Sequence, residues 1–153
     1  MTIRSGGPAD LAFVRALAAE SFAAFGDYGR IVEDWIGVDG VHTFVVEEEG
    51  RAIGFTMIGF YRLDDGTWTA DLLAIAVAPS EQRRGVGRKL LDHAVAAARA
   101  ARHHLPVREL RLSVADTNQR ARAIFAAAGF REVPGDHGRY DGGQRALHMA
   151  KRL

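Results

Sequence analysis

The residues whose types and spacing most directly suggest chemistry are Gln82-Arg83-Arg84-Gly85-Val86-Gly87. They follow an apolar run, Leu72 to Ala78, that Pro79 breaks. They precede a pattern in which Leu90, Leu91, Ala94, Val95 and Ala98 recur at helical spacing. A strand, a turn with two glycines and a helix, in that order, leave the N–H groups of the helix's first turn facing outward. Such a terminus carries roughly half a positive charge and attracts phosphate. Arg83, Arg84 and Arg88 add permanent charge around it. Glycine at 85 and 87 lets main chain approach phosphate where any Cβ would intrude. The same residues also fit an ordinary turn with close helix packing and solvated arginines. Rival nucleotide motifs do not fit. Leu90 stands where a dinucleotide fingerprint needs its third glycine, and no Gly-Lys-Ser/Thr completes a phosphate loop.

The elements that must position this turn come from 153 residues, a length that suits one domain over residues 1–153. The net charge of +1 supplies no field to draw in nucleic acid or an anionic membrane, so neither is expected as a partner. The absence of cysteine excludes disulfides, thiolate metal sites and a cysteine nucleophile. No apolar stretch is long enough to span a bilayer, and the first residues do not resemble a secretory signal, so a cytoplasmic protein is the default.

Along the chain, Thr2 to Arg4 reads as an edge strand. A helix then runs from Pro8 or Asp10 to about Phe25, and a short one from Ile31 to Ile36. Thr43 to Glu48, Ala52 to Tyr61 and Trp68 to Ala78 read as three consecutive strands. A long helix continues to about Ala101, and a strand spans Glu109 to Val114. Asp116-Thr117-Asn118 caps a helix that Gly129 stops. Phe130 to Val133 and Ala146 to Lys151 are final strands, separated by a polar loop from Pro134 to Gly143. The order β-α-α-β-β-β-α-β-α-β-β predicts an α+β domain of αβα layers.

With these pieces in place the chain resembles a GNAT-family N-acetyltransferase, of the acetyl-CoA-dependent acyltransferase superfamily. Three segments carry the resemblance. Ile75 to Pro79 leading into Gln82–Gly87 is similar to the family's pyrophosphate motif. Asn118 with Ala121, Phe125 and Gly129-Phe130 is similar to its second cofactor segment, and Leu147 to Leu153 is a weaker closing signature. The resemblance implies a mixed, mostly antiparallel sheet of about seven strands flanked by about four helices. It implies acetyl-CoA as co-substrate, held by Ile75, Ala76, Val77, Gln82, Arg83, Arg84, Gly85, Val86, Gly87, Arg88, Asn118 and Phe125. In such a site the main chain of Ile75 and Val77 pairs with the pantetheine arm like an added strand. The family's final strands often pair between subunits, which makes a homodimer an expectation.

The implied reaction is attack of a neutral amine on a thioester. A lysine-like amine with pKa about 10.4 is deprotonated less than about one part in a thousand at pH 7. A base that takes the proton is worth about 10²–10⁴-fold. Asp71 is the first candidate, because the histone acetyltransferase branch carries a catalytic glutamate at the matching position. It shares strand parity with Leu73 and Ile75, an apolar setting that raises a carboxyl pKa; the alternative is that it caps the strand or meets an arginine. Many family members carry a tyrosine at position 125 that protonates the leaving thiolate, and Phe125 has no proton to give. Tyr140 and His137, in the loop before the last strand, are the candidates to substitute, as is bulk water; a thiol of pKa about 8.5 also leaves tolerably as an anion. No histidine pair has the i, i+4 spacing of a helical metal site, and no metal is expected.

By resemblance the acceptor lies across the cleft from the cofactor, against Phe25, Tyr28, Glu33 and Trp35, with Asp27, Asp34, Asp136 and His137 nearby. An acid-and-aromatic lining suits a cationic amine, although charged residues on a short helix also fit a solvated face. The leading expectation is an enzyme acetylating a primary amine of a small molecule or peptide in a ternary complex, with no cysteine for a covalent intermediate. The alternatives are a catalytically weak acyl-CoA-binding sensor or regulatory module, and a phosphate-binding domain unrelated to coenzyme A.

Overall fold

A computed structural model describes all residues 1–153. The strands are β1 (Thr2–Ser5), β2 (Val41–Glu48), β3 (Arg51–Arg62), β4 (Trp68–Val77), β5 (Glu109–Ala115), β6 (Arg131–Val133) and β7 (Ala146–Arg152). The helices are α1 (Leu11–Ser21), α2 (Tyr28–Trp35), α3 (Val86–Ala101) and α4 (Gln119–Ala127). The strands form one seven-stranded sheet in the order β1-β2-β3-β4-β5-β7-β6. Every pairing is antiparallel except β4 with β5. The element order and the mixed sheet agree with the expectation from sequence.

The sheet has a different core on each face. Leu91, Ala94, Val95 and Ala98 of α3 and Phe125 of α4 pack on Ile58, Phe60, Leu72, Leu110 and Leu112. On the other face Val14, Leu17 and Ala18 of α1 and Val32 of α2 cover Val45, Phe55, Met57, Ala74 and Ala76. At the edge, Arg4 bridges Asp10 and Glu47, each at 2.7 Å. Asp10 accepts the Gly7 N–H at 2.9 Å, which ties β1 to the start of α1. The Arg4 guanidinium holds the Asp10 carboxyl below its ordinary range.

Three boundaries depart from the sequence pattern. The first helix stops at Ser21, and Phe22 to Phe25 turn on a 2.9 Å bond from the Phe25 N–H to the Phe22 carbonyl. The apolar stripe continues past the helix because Phe22 still packs against the core beneath α1 while the Phe25 ring meets Tyr140. The second helix begins at Tyr28 rather than Ile31, because Asp27 caps it by accepting the Arg30 N–H at 3.4 Å.

The third departure is in β4. Met57 pairs with Ala74 but Ile58 pairs with Leu72, so Leu73 is an extra residue, a bulge. One inserted residue exchanges the faces of everything beyond it. Ile75 therefore packs toward α3 and α4, while Asp71, opposite Gly59, faces the side of α1 and α2. Asp71 and Ile75 do not share a face, contrary to the simple parity of the strand.

Leu91 is completely buried where α3 crosses the sheet. Leu91→Ala is expected to cost about 2–5 kcal/mol, read as a lowered urea midpoint with an unchanged m-value.

Candidate active site

The parallel pairing of β4 with β5 lasts only through Ala70↔Leu110, Asp71↔Arg111 and Leu72↔Leu112. Beyond Leu72 the strands separate, and the β4 main chain from Leu73 to Val77 has no β5 partner. A cavity of about 400 Å³ opens alongside, lined by Ile75, Ala76 and Val77, by the turn into α3, and by Asn118, Arg120, Ala121, Ile124 and Phe125 of the α4 region. Ile75, Asn118, Ala121 and Phe125 also line a narrower cavity of about 110 Å³ that reaches between the splayed strands.

At the wide end the turn is rich in unused donors. Arg83 and Gly85 have positive φ of 66° and 78°. This curls the chain so that the first bond into α3 runs from the Lys89 N–H to the Gly85 carbonyl at 3.1 Å. The six N–H groups from Arg83 to Arg88 donate to no protein acceptor. An added Cβ at Gly85 would meet nothing within 4 Å, so its place is fixed by its left-handed backbone and not by crowding. A concave row of free donors at a helix start, under arginine, fits a pyrophosphate.

The arginines divide. Arg83 and Arg88 line the cavity, Arg83 without an ion-pair partner and Arg88 bonded to Asp92 at 2.9 Å. Arg84 turns away: its guanidinium bridges Glu48, at 2.7 and 2.8 Å, and Glu81. Gln82 links the two halves of the cleft. Its Nε2 donates to the Val77 carbonyl at 3.0 Å and its Oε1 accepts from Arg120 Nη1 at 3.0 Å. Asn118 caps α4 by accepting the Ala121 N–H at 3.3 Å while also lining both cavities.

The geometry matches known proteins. The model of the acetyltransferase (GNAT) family matches residues 11–130. The chain belongs to the GNAT acetyltransferase family. It is therefore an acyltransferase. Similar solved structures include a ribosomal-protein-alanine N-acetyltransferase from Brucella melitensis, 24% identical with a TM-score of 0.79 over 100% of both chains. Another is NAA60 of Arabidopsis thaliana in complex with acetyl-CoA, 14% identical with a TM-score of 0.77 over 99% of this chain and 98% of that one. A third is an acetyltransferase from Thermus thermophilus, 23% identical with a TM-score of 0.72 over 100% of this chain and 98% of that one. No curated protein matches the sequence.

In this GNAT chain the narrow end of the cleft is walled by aromatic rings. Phe22 meets Tyr28 at 5.2 Å between centroids, and Phe25 meets Tyr140 at 5.6 Å. All four line the narrow cavity, with Leu72, Leu73 and Leu112 below. The loop bearing Tyr140 is tied to the α1–α2 turn by Gln144 Nε2, which donates to the Ala24 carbonyl at 3.0 Å. Gly142 lies so close that a Cβ there would stand 2.1 Å from that carbonyl, so only glycine fits. The Tyr140 hydroxyl is 2.8 Å from Ser113 Oγ. Burial raises the Tyr140 pKa, partly offset by the Ser113 bond, so the phenol holds its proton at neutral pH. Tyr28 is pushed up to about 12 by burial and by the nearby charges of Tyr140 and Asp141.

Other expected residues lie elsewhere. Asp71 stands on the sheet face beside Tyr61 and Arg111 and is not among the residues lining the narrow cavity. Burial raises its pKa, against opposing pulls from Thr69, at 3.4 Å, and Arg111. Glu33 is exposed and pairs with Arg15 at 3.4 Å, while Trp35 packs into the core under α2. Neither lines the cleft: Glu33 faces solvent, and Trp35 shares the inward face of α2 with Val32 and is taken up by the core. Sequence reasoning missed Arg120, Ser113 and Phe22. Arg120, two residues past the Asn118 cap, was the one with a local signal. No group of three or more His, Asp or Glu side chains is placed to hold a metal ion, and no helix is long and apolar enough to cross a membrane.

His137 stacks on His148 at 3.9 Å with 14° between planes, and His137 Nε2 lies 3.0 Å from the Val133 carbonyl. Burial, then the charges of His137 and Arg111, lower the His148 pKa below 6.5. The unfolded chain therefore takes up this proton first, so stability is complete above pH 6.5 and falls as the pH drops toward the folded-state value. His148→Phe is expected to lose less stability than the natural protein between pH 7.5 and 5, measured by urea midpoints at each pH.

Proposed function

We propose that this protein transfers the acetyl group of acetyl-CoA to a primary amine by direct attack in a ternary complex. The observation that carries this reading is the row of six free N–H groups from Arg83 to Arg88, which leads directly onto the unpaired edge of β4. The first suits the pyrophosphate, and the second offers pantetheine amides an open strand edge. The cleft then narrows onto Tyr140 and Ser113, where the thioester and amine meet. A protein of the same fold, NAA60 of Arabidopsis thaliana, forms complexes with acetyl-CoA and with a bisubstrate analogue, which supports acetyl-CoA as the co-substrate here.

In the reaction the amine nitrogen forms a bond to the thioester carbonyl carbon, and the carbon–sulfur bond breaks. The amine loses one proton and the departing thiolate gains one. Asp71, with a raised pKa and next in the strand to Leu72 of the cavity lining, is proposed as the acceptor of the first, through water. Tyr140, protonated at neutral pH and lining the same cavity as Phe125, is proposed as the donor of the second. His137, committed to His148 and the Val133 carbonyl, serves to hold the loop.

Two measurements test these assignments. Acetyl-CoA is expected to raise the melting temperature where ATP and NAD do not, and free thiol is expected to appear when an amine is added. Arg83→Ala should weaken acetyl-CoA by about tenfold, and Arg84→Ala should leave it nearly unchanged. A melting shift without thiol release would favour a sensor of acyl-CoA over an enzyme.

The second concerns Asp71. Asp71→Asn is expected to lower kcat by about 10²-fold or more with little change in the acetyl-CoA KM. The same variant should melt higher, because a carboxylate kept charged against its burial opposes folding. An unchanged turnover and pH profile would remove Asp71 from the mechanism.

A further inference from the structure

The narrow cavity has no charged side chain in its lining. Phe22, Phe25, Tyr28 and Tyr140 form its walls, and Ser113, Asn118 and the two tyrosines are its only polar side chains. The nearby carboxylates are engaged or outside. Glu33 pairs with Arg15, Asp27 caps α2, Asp116 accepts the Arg145 N–H at 3.2 Å, and Asp136 accepts the Gly138 N–H at 3.0 Å. Asp141 is exposed beside Gly26, at the rim.

From this lining we infer that the acceptor is a primary amine borne on an aromatic or comparably bulky apolar group and lacking a carboxylate beside the nitrogen. The inference rests on the acetyl-transfer reading and names the acceptor for it. The rings provide area for an apolar body, and no arginine or lysine waits for a carboxylate. A free α-amino acid would therefore bury its carboxylate unpaired, which is costly. A polyamine would bring a second ammonium into a lining that holds no acid, Asp141 standing only at the rim. The same apolar wall assists the chemistry. Desolvation disfavours an ammonium, so an amine seated there loses its proton more easily than in water, and ring faces tolerate the cation on entry. Aromatic amines of low mass and peptides with an aromatic first residue share this chemistry.

The test is thiol release from acetyl-CoA with phenethylamine, a peptide amide beginning with phenylalanine, free phenylalanine, lysine and spermidine. Phenethylamine or the peptide is expected to exceed the other three in kcat/KM by about tenfold or more, and whichever of the two leads identifies the source. Equal or better use of spermidine, lysine or free phenylalanine overturns the inference.

If no amine releases thiol, the transfer reading fails, and the acceptor class is read instead from binding to the acetyl-CoA-loaded protein. Saturable phenethylamine binding, tighter than that of spermidine, lysine and free phenylalanine, weakened about tenfold by Phe25→Ala and retained in Phe25→Leu sustains the inference. No saturable phenethylamine binding, binding no tighter than that of the other three, or binding indifferent to Phe25→Ala in a folded variant, overturns it.

Discussion

Beyond Leu72 the main chain of β4 loses its neighbour, and the rest of the cleft follows from where that loss begins. The sheet needs β4 and β5 joined, since Leu72 and Leu112 together close the core under α3 and α4. The site needs them apart, since a strand already paired on both edges has no main-chain groups to offer a ligand. Three residue pairs meet the first need, and the bulge at Leu73 marks the change to the second. It re-aims β4 so that Ala74 and Ala76 seal the core beneath α1 while Ile75 and Val77 turn to the side of α3. Gln82, donating to the Val77 carbonyl, ends the open edge and fixes its height relative to the turn.

Electrostatics in this protein work locally. A net charge of +1 leaves no long-range attraction for a polyanion. The positive character of the cleft comes instead from oriented N–H groups and a few guanidinium groups. Arg84 shows how the two are kept distinct. Its bridge to Glu48 and Glu81 ties the turn to β2 and to the approach to the turn, and its own charge stays out of the cavity. Arg83, one residue earlier and without a partner, remains available to a ligand.

Much of this was legible in the sequence wherever the signal was local. The turn into α3 announced itself through Gly85, whose left-handed backbone favours glycine, and through the arginines beside it, while Gly87 is helical and its added Cβ would meet only an ordinary contact with Val77. Asn118 was legible for the same reason, as a cap. What escaped depended on partners far along the chain. The Leu73 bulge exists only in the register between β3 and β4, and simple alternation therefore put Asp71 on the wrong face. Adjacent arginines look alike until Glu48, 36 residues upstream of Arg84, claims one of them. Glu33 and Trp35 were expected at the cleft by resemblance alone, and what claims them instead, Arg15 on α1 and the core beneath α1 and α2, lies outside their own helix.

The loss of a tyrosine at 125 and the lack of a carboxylate in the narrow cavity have a common physical consequence. With Phe125 and four further aromatic rings in its lining, the narrow cavity is a medium that penalises charge. An ammonium entering it is pressed to give up its proton, and a thiolate leaving it is pressed to take one. Tyr140, whose own pKa rises for the same reason, keeps a proton to give where Phe125 cannot. In the proposed reaction Asp71, raised by burial yet set outside the lining, would take the amine proton through water without placing a fixed negative charge beside the thioester carbonyl, where it would oppose the developing oxyanion. On the proposed mechanism such a site divides the labour of a base between desolvation and one carboxylate outside the lining. On the same reading it favours acceptors whose apolar mass brings them into the cavity over those drawn by charge.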